Sequence, residues 1–256
     1  MYGGGVSRDL NDLIDRIVRD TKRAVERRRK AKIPERRSNI LSLSNAIKGG
    51  DKSIIAEIKP KSPTNGALIG IRDVSSIASE YAEGGAVAIS VLTSPHFGGK
   101  VENVSIVKGG AGVPVLYKDF VLDEYQVREG YGSGADAVLL IEGISPVEKL
   151  LDVVADLGLE AVVECHSAEE IEEAVNAGAE IIGINNRNLR TLAVDIETTA
   201  RLAEYVPEDR IMISESGVKT AADAQYLFDC GADALLIGTA LMRSENPKEF
   251  IRACLN

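Results

Sequence analysis

The sequence predicts an α/β protein, a (β/α)8 TIM barrel preceded by a helical extension. Three observations carry that expectation. Apolar runs at 53–59, 86–92, 113–118, 136–141, 160–164, 180–185, 210–214 and 233–238 are separated by polar or amphipathic stretches long enough for a helix. Continuous apolar strands alternating with helices imply a parallel sheet covered on its outer face, and eight of them imply closure. A Gly-Ala pair recurs at Gly85-Ala86, Gly134-Ala135, Gly178-Ala179 and Gly231-Ala232, roughly every 44–53 residues, or about two βα units. Glycine there acts as a left-handed helix cap, and the small alanine lets the chain turn into the next strand, so the pairs mark strands 2, 4, 6 and 8. Finally, 256 residues is close to the usual size of one such barrel. A flavodoxin-like open sheet would need only about five strands.

Composition agrees. Hydrophobic residues make up 45%, aromatics only 4%, and Trp is absent. A core of Ile, Val, Leu and Ala suits layered barrel packing better than an aromatic-rich sandwich.

Ahead of the first strand, Leu10, Leu13, Ile14, Ile17, Val18 and Val25 sit near helical spacing with charges between them. Pro34 interrupts, and a second short helix is expected from Leu41 to Ile47, ended by Gly49-Gly50. The chain is therefore read as one domain, 1–256, of which 1–50 is the helical extension. Within the barrel, Val147 to Leu157 and Ala168 to Ala177 are the clearest amphipathic helices.

The net charge of −9 hides an asymmetry: residues 1–40 hold 12 Lys/Arg and 6 Asp/Glu, the remainder 18 and 33. The cluster Arg27-Arg28-Arg29-Lys30 admits a nucleic-acid reading. No aromatic stacking pattern accompanies it, and the acidic body would repel a polyanion, so a solvated or barrel-facing helix face is the better reading. Cys165, Cys230 and Cys254 form neither a disulfide framework nor a metal-ligand spacing, which favours a reducing cytoplasm. No run of about eighteen apolar residues and no signal-peptide pattern at Met-Tyr-Gly-Gly-Gly is present, so neither a membrane nor a secretory route is expected.

In a barrel of this kind the working residues stand at strand C-termini or in the loops that follow. Lysine and glutamate are rarely fully buried unless paired, yet Lys59, Lys118 and Glu164 each close a short apolar run. Alternation puts Glu57 and Lys59 on one face, into the barrel, where the carboxylate would keep the ammonium charged and oriented. A structural ion pair is the plainer alternative. Strand 6 adds Asn185 and Arg187. Ammonium as acid, carboxylate as base and arginine as a planar carboxylate clamp suit acid–base chemistry on an anionic substrate. A lysine in a partly desolvated mouth is expected to have a lowered pKa and to be the better acid for it.

Strands 7 and 8 run into Ser214-Glu215-Ser216-Gly217 and Ile237-Gly238-Thr239-Ala240. Loops after these two strands often bind phosphate through backbone N–H groups and a short helix's N-terminus. His96 and His166, the only histidines, lie in loops without a Cys or carboxylate at metal-ligand spacing, so no metal is expected. Cys165 should face the helices as a small packing residue.

The chain closely resembles indole-3-glycerol phosphate synthases. The resemblance rests on Ile-Ala-Glu-Ile-Lys-Pro-Lys-Ser-Pro (55–63), Ser-Val-Leu-Thr (90–93), Pro-Val-Leu-Tyr-Lys-Asp-Phe (114–120), Val-Glu-Cys-His (163–166), Gly-Ile-Asn-Asn-Arg-Asn-Leu (183–189), Ser-Glu-Ser-Gly (214–217) and Leu-Ile-Gly-Thr-Ala-Leu-Met (236–242). These motifs run in order through the barrel, and a helical extension is a family feature. The resemblance implies ring closure, decarboxylation and dehydration of 1-(o-carboxyphenylamino)-1-deoxyribulose 5-phosphate, without a cofactor. It implies that Lys118 is the general acid, Glu164 a base and stabiliser of the developing cation, and Lys59, held by Glu57, a binder of substrate anions, the phosphate included. Asn185 would bond the sugar-derived hydroxyls and Arg187 the anthranilate carboxylate. Ser62, Pro63, Ser90 and Glu215 fall among the substrate-contacting positions, Phe97, Phe120, Leu139 and Leu189 would wall the aromatic ring, and Ser216, Gly217, Gly238 and Thr239 correspond to the phosphate cradle.

Two positions depart from the family pattern. Position 60 is Pro where some relatives carry a basic residue, so Lys61 would supply that charge, and position 239 is Thr where Ser is common. The resemblance is compatible with a monomer and with association with other enzymes of the tryptophan pathway. The alternatives are another phosphate-binding barrel, such as phosphoribosylanthranilate isomerase, whose Cys/Asp pair is not found here, and a non-catalytic barrel that binds phosphorylated metabolites. A retired site has no physical need to keep charges at its mouth.

Overall fold

The computed structural model describes residues 6–62, 66–67 and 73–256, with side chains from residue 13 onward except at 61–62 and 66–67. Eight parallel strands close on themselves: β1 (Ser53–Ile58), β2 (Ala88–Leu92), β3 (Val115–Lys118), β4 (Ala137–Ile141), β5 (Glu160–Cys165), β6 (Ile181–Asn185), β7 (Ile211–Glu215) and β8 (Ala234–Ile237). Each pairs with its sequence neighbours, and β8 closes onto β1 with Ser53 opposite Ala234. The expected strands are all present and most are trimmed by a residue or two. β5 and β7 instead run one residue further, through Cys165 and Glu215.

Every residue of β1, β2, β4, β6, β7 and β8 is buried. This explains the unbroken apolar runs: alternate residues face two different cores. Ile55, Ala88, Leu116, Leu139, Val162, Ile181, Ile213 and Leu236 fill the barrel, while Ile54, Ile89, Tyr117, Leu140, Val163, Ile182 and Leu235 meet the helices. Cys165 belongs to the outer set, as expected, and burial pushes its thiol up, which leaves it a packing residue. The four Gly-Ala pairs sit where the period places them, with Gly85, Gly134, Gly178 and Gly231 all at φ between 93° and 107°.

The extension covers both ends of the barrel. Helix α1 (Val6–Arg28) buries Ile17 and Val25, while Leu13 and Ile14 are half-buried. Helix α2 (Leu43–Lys48) starts two residues later than expected, because the Ser42 hydroxyl accepts from Asn45 N and caps it. Its Leu43 and Ile47 plug the N-terminal end of the barrel, where Ser53 Oγ donates to Ile47 O at 3.0 Å. The basic cluster divides. Arg28 Nε donates to Glu129 at 2.9 Å and Arg29 pairs with Asp123, whereas Arg27 and Lys30 are exposed. At least half of it is therefore a barrel-facing surface. After β8, a C-terminal helix, α3 (Pro247–Leu255), supplies the helical part of the eighth βα unit. No helix among the described residues is long and apolar enough to cross a membrane.

Candidate active site

The inward positions at the strand C-termini carry Glu57, Lys118, Glu164, Asn185 and Glu215, and all five line a cavity of about 780 Å³ at that end of the barrel. Lys118 Nζ donates to Glu215 Oε2 at 2.5 Å and to Glu164 Oε2 at 3.4 Å. Asn185 Nδ2 donates to Glu164 Oε1 at 2.8 Å, and its Oδ1 accepts from Arg187 N at 2.9 Å. Lys59 Nζ lies 3.3 Å from Glu57 Oε2, the pair that alternation implied.

The protonation balance departs from the sequence-based expectation. Burial alone would lower the Lys118 pKa, but Glu215, Glu164 and Glu57 outweigh it and raise it. The ammonium is thus held firmly charged rather than loosened. The carboxylates separate instead. Glu164, despite burial, is pulled down to about 2 by Lys118, His166 and Asn185. Glu215 is pushed up to about 7, chiefly by burial and further by Glu164 and Glu57, against the pull of Lys118. Its Oε1 is buried without a hydrogen-bond partner.

Two glycines make room for these groups. A Cβ at Gly183 would lie 2.5 Å from Glu215 Oε1, and one at Gly238 would lie 2.2 Å from Glu57 Oε2. Gly238 thus admits the Glu57 carboxylate in addition to beginning the expected phosphate turn. Ser216 (φ 66°) and Gly217 (φ 103°), which also line the cavity, are consecutive left-handed residues. Left-handed backbone is uncommon for a non-glycine residue and is held here by its surroundings. Asn186 Nδ2 donates to Ser216 O and Ser214 Oγ, both at 3.0 Å, while its Oδ1 accepts from Thr199 N and Oγ1. Gly238 and Thr239 line the same cavity, and Thr239 opens the five-residue helix Thr239–Arg243.

Of the other expected substrate contacts, Phe97, Phe120, Leu139, Arg187 and Leu189 line the cavity. The Phe97 and Phe120 rings stack with centroids 6.3 Å apart. Arg187 is tethered by Nη1 to Leu192 O at 2.9 Å. Ser90 is not among the lining residues: it lies two positions before the end of β2, buried beside Glu57, and its Oγ has no partner. Of Ser62 only the backbone is described, in a short antiparallel pair with Gly66–Ala67, and Pro63 lies outside the described residues.

Sequence reasoning missed four features. Leu13, Ile14 and Ile17 of α1 form part of the cavity wall. Asp119 also lines it, with burial raising its carboxyl to about 6. Asn186 holds the Ser216 turn through the Ser216 carbonyl, a contact its place in the sequence does not announce. His166, considered in the sequence only as a metal ligand, has Nε2 3.3 Å from Glu164 and Nδ1 3.3 Å from Glu170. No metal-binding cluster is found among the described residues.

Comparison with known proteins fits this geometry. The family model described as indole-3-glycerol phosphate synthase matches residues 14–254. The indole-3-glycerol phosphate synthase of Methanothermobacter marburgensis is 42% identical over 93% of this chain and 89% of its own length. That of Methanocaldococcus jannaschii is 42% identical over 94% and 97%. The crystal structure of orotidine 5'-phosphate decarboxylase from Pyrococcus horikoshii OT3 superposes with a TM-score of 0.61 at 17% identity, covering 79% of this chain and 97% of that one. That likeness establishes the barrel alone. With a family match from α1 to the last helix, and relatives this similar along nearly their whole length, the chain belongs to the indole-3-glycerol phosphate synthase family.

Proposed function

We propose that this chain converts 1-(o-carboxyphenylamino)-1-deoxyribulose 5-phosphate into indole-3-glycerol phosphate, carbon dioxide and water, a step of tryptophan biosynthesis. One observation carries the assignment of roles: the Lys118 ammonium is fixed between Glu215 and Glu164 on the floor of the cavity. A ketone is a poor electrophile until its oxygen takes a proton. Lys118 supplies that proton as the carboxylate-bearing ring carbon attacks, so that a C–C bond forms and the ketone becomes a hydroxyl. Loss of carbon dioxide returns the bonding electrons to the ring. The hydroxyl then takes a proton and leaves as water while the neighbouring CH2 carbon of the new ring gives one up, so that the pyrrole double bond forms.

An ammonium held this firmly charged is a weak acid by itself. A carboxyl near pH 7 is suited to moving protons at neutral pH, and Glu215, hydrogen-bonded to Lys118, is placed to restore the proton it gives up. Glu164, ionised throughout, faces the cation that develops on the ring nitrogen and stabilises it. Lys59 and the Ser216-Gly217 turn receive the phosphate, Asn185 the sugar hydroxyls, and Arg187 the anthranilate carboxylate before it is lost. Phe97, Phe120, Leu139 and Leu189 enclose the ring. All these side chains come from one chain, which supports a catalytically complete monomer. A charged phosphorylated substrate, which does not cross membranes unaided, supports a cytoplasmic setting.

The test is to mix purified protein with the anilino-deoxyribulose phosphate and follow indole fluorescence, with Lys118→Ala alongside. Wild type should turn over, and the variant should lose at least about a hundredfold, the usual scale for a general acid. Near-normal turnover by the variant would remove Lys118 from the role. Silence from the wild type would overturn the substrate assignment.

A further inference from the structure

His166 takes no part in the roles above, yet its placement is specific. It follows β5 and forms the partition between the main cavity, which Glu164 lines, and a second cavity of about 450 Å³ that His166 and Glu170 line. Nε2 lies 3.3 Å from Glu164 Oε1, the oxygen that also accepts from Asn185. On the other side, Glu170 Oε2 accepts from the His166 backbone N at 2.6 Å and lies 3.3 Å from Nδ1. Glu170 is itself fixed by a helix start: the Ser167 hydroxyl caps Ala168–Asn176 by accepting from Glu170 N at 3.2 Å. The imidazole thus has one carboxylate near each ring nitrogen; at Nε2, which has no aligned hydrogen-bond partner, the contact with Glu164 is one of opposite charges at 3.3 Å.

We infer that His166 is a positioning residue for the reaction proposed above: its imidazolium, held between Glu164 and Glu170, keeps the Glu164 carboxylate ionised and aimed at the substrate. The inference rests on that functional reading. Glu164 needs such help, because it shares a buried floor with Glu215 and Glu57 and has to share Lys118 with Glu215. Like charges that close together favour protonation of one of them. A second cation behind Glu164 ensures that Glu164 stays ionised and Glu215 carries the proton. The surroundings of His166 favour the cation. Glu164 comes from β5 and Glu170 from the following helix, while Glu142 from the loop after β4 and Asp15 from α1 line the second cavity. Among the described residues lining that cavity Arg190 is the cation, and Lys118 is the other cationic partner of Glu164. Glu164 and Glu170 outweigh burial and raise the imidazole pKa to about 10.

Two measurements decide it. The first compares the pH profile of kcat/KM for wild type and His166→Gln. The acid limb should move up by about one pH unit or more in the variant, the scale of one lost opposite charge, with KM changed less than about threefold. An unmoved acid limb, whatever the rate, would sink the proposal. The second needs neither turnover nor a folded variant at position 166. With only two histidines in the chain, the imidazole ¹⁵N signals of His96 and His166 can be told apart in wild type by comparison with Glu164→Gln. Wild-type His166 should be doubly protonated at pH 8 and become neutral at lower pH in Glu164→Gln than in wild type. A neutral ring at pH 8 in wild type overturns the inference. If wild type fails to turn over the anilino-deoxyribulose phosphate, the functional reading falls, and the nitrogen spectrum alone decides the pairing.

Discussion

Glu215 holds Lys118 more closely than Glu164 does, at 2.5 Å against 3.4 Å. The two carboxylates come from β5 and β7, which flank β6, so the lysine on β3 is fixed from across the barrel by both strands together. The same arrangement separates the carboxylates in charge: one is lowered to about 2 and the other raised to about 7. Two acids with divergent pKa values around one ammonium allow a division of labour, with one staying charged and one exchanging protons.

Glu215→Gln tests that division. The amide keeps the shape and can still accept from Lys118, but the charge is gone. Glu215 is the strongest of the influences that raise Lys118, so its removal lets the lysine pKa fall. The alkaline limb of the kcat/KM profile should move to lower pH, and the rate should drop by up to about a hundredfold as the proton-restoring carboxyl is lost. A limb at the wild-type pH would mean that Glu215 does not set the charge on Lys118.

Gly238→Ala should be far more harmful to activity than its size suggests. The new methyl would meet the Glu57 carboxylate at 2.2 Å, pushing it away from Lys59, and a displacement near 1 Å at a reacting site can cost about a hundredfold. Gly178→Ala is the comparison: φ is 93° and nothing lies within 4 Å of the added carbon. It should cost about 1–2 kcal/mol of stability from left-handed backbone strain, with kcat/KM unchanged. Urea unfolding and steady-state kinetics on both variants separate the two effects. Equal activity in both would leave Gly238 without a role in seating Glu57.

Much of this was legible in the sequence because a parallel barrel writes its strands as continuous apolar runs, and a charge at the end of such a run stands out. Lys118 and Glu164 were found that way. What could not be read was convergence. Lys118 and Glu215 are 97 residues apart, so a strand-end lysine could be seen to be buried but not to be surrounded by carboxylates, and its pKa was expected to move the wrong way. Depth was equally hidden. Ser90 faces inward, but β2 continues to Leu92, which puts the hydroxyl below the cavity. The apolar stripe of α1 was plain from its spacing, yet spacing does not reveal which end of the barrel the stripe will cover. The Ser167 cap and Glu170 were visible as a helix start, but their effect on His166 depends on the fold.

Arg28→Ala should destabilise the protein although Arg28 belongs to the extension. Its guanidinium is the ion-pair partner of Glu129, which is buried, and Glu129 also accepts from Tyr117 Oη at 3.3 Å. Leaving a buried carboxylate unpaired costs roughly 3 kcal/mol. Tyr117 Oη also lies 3.5 Å from Asp119, so the disturbance reaches the residue next to Lys118. Chemical denaturation of wild type and variant gives the cost directly. A loss below about 1 kcal/mol would mean that the extension is not anchored through this pair.

Stability above neutral pH should report on His166. Its folded pKa, about 10, lies above the ordinary histidine value of 6.5, so the folded protein binds a proton that the unfolded chain has released. The sign follows: the stabilisation is complete below about pH 6.5 and is lost as pH rises toward 10. Glu164 acts in the other direction and elsewhere. Its lowered pKa contributes stability above about pH 4.5 that is lost as pH falls toward 2. Glu215, raised to about 7, is half-titrated at neutrality and completes its own loss about one pH unit higher. Cys165 and Cys254, whose thiols burial raises, add a loss of the same sign once the unfolded thiols ionise near pH 9. The window around pH 8 to 8.5, compared between wild type and His166→Gln, therefore reports the imidazole. There the unfolding free energy should fall by up to about 1.4 kcal/mol per pH unit, one proton's worth, and His166→Gln should flatten that decline. An equal slope in the two proteins would show that His166 enters the folded state without its extra proton, and Glu164 would then owe its ionised form to Lys118 and Asn185 alone.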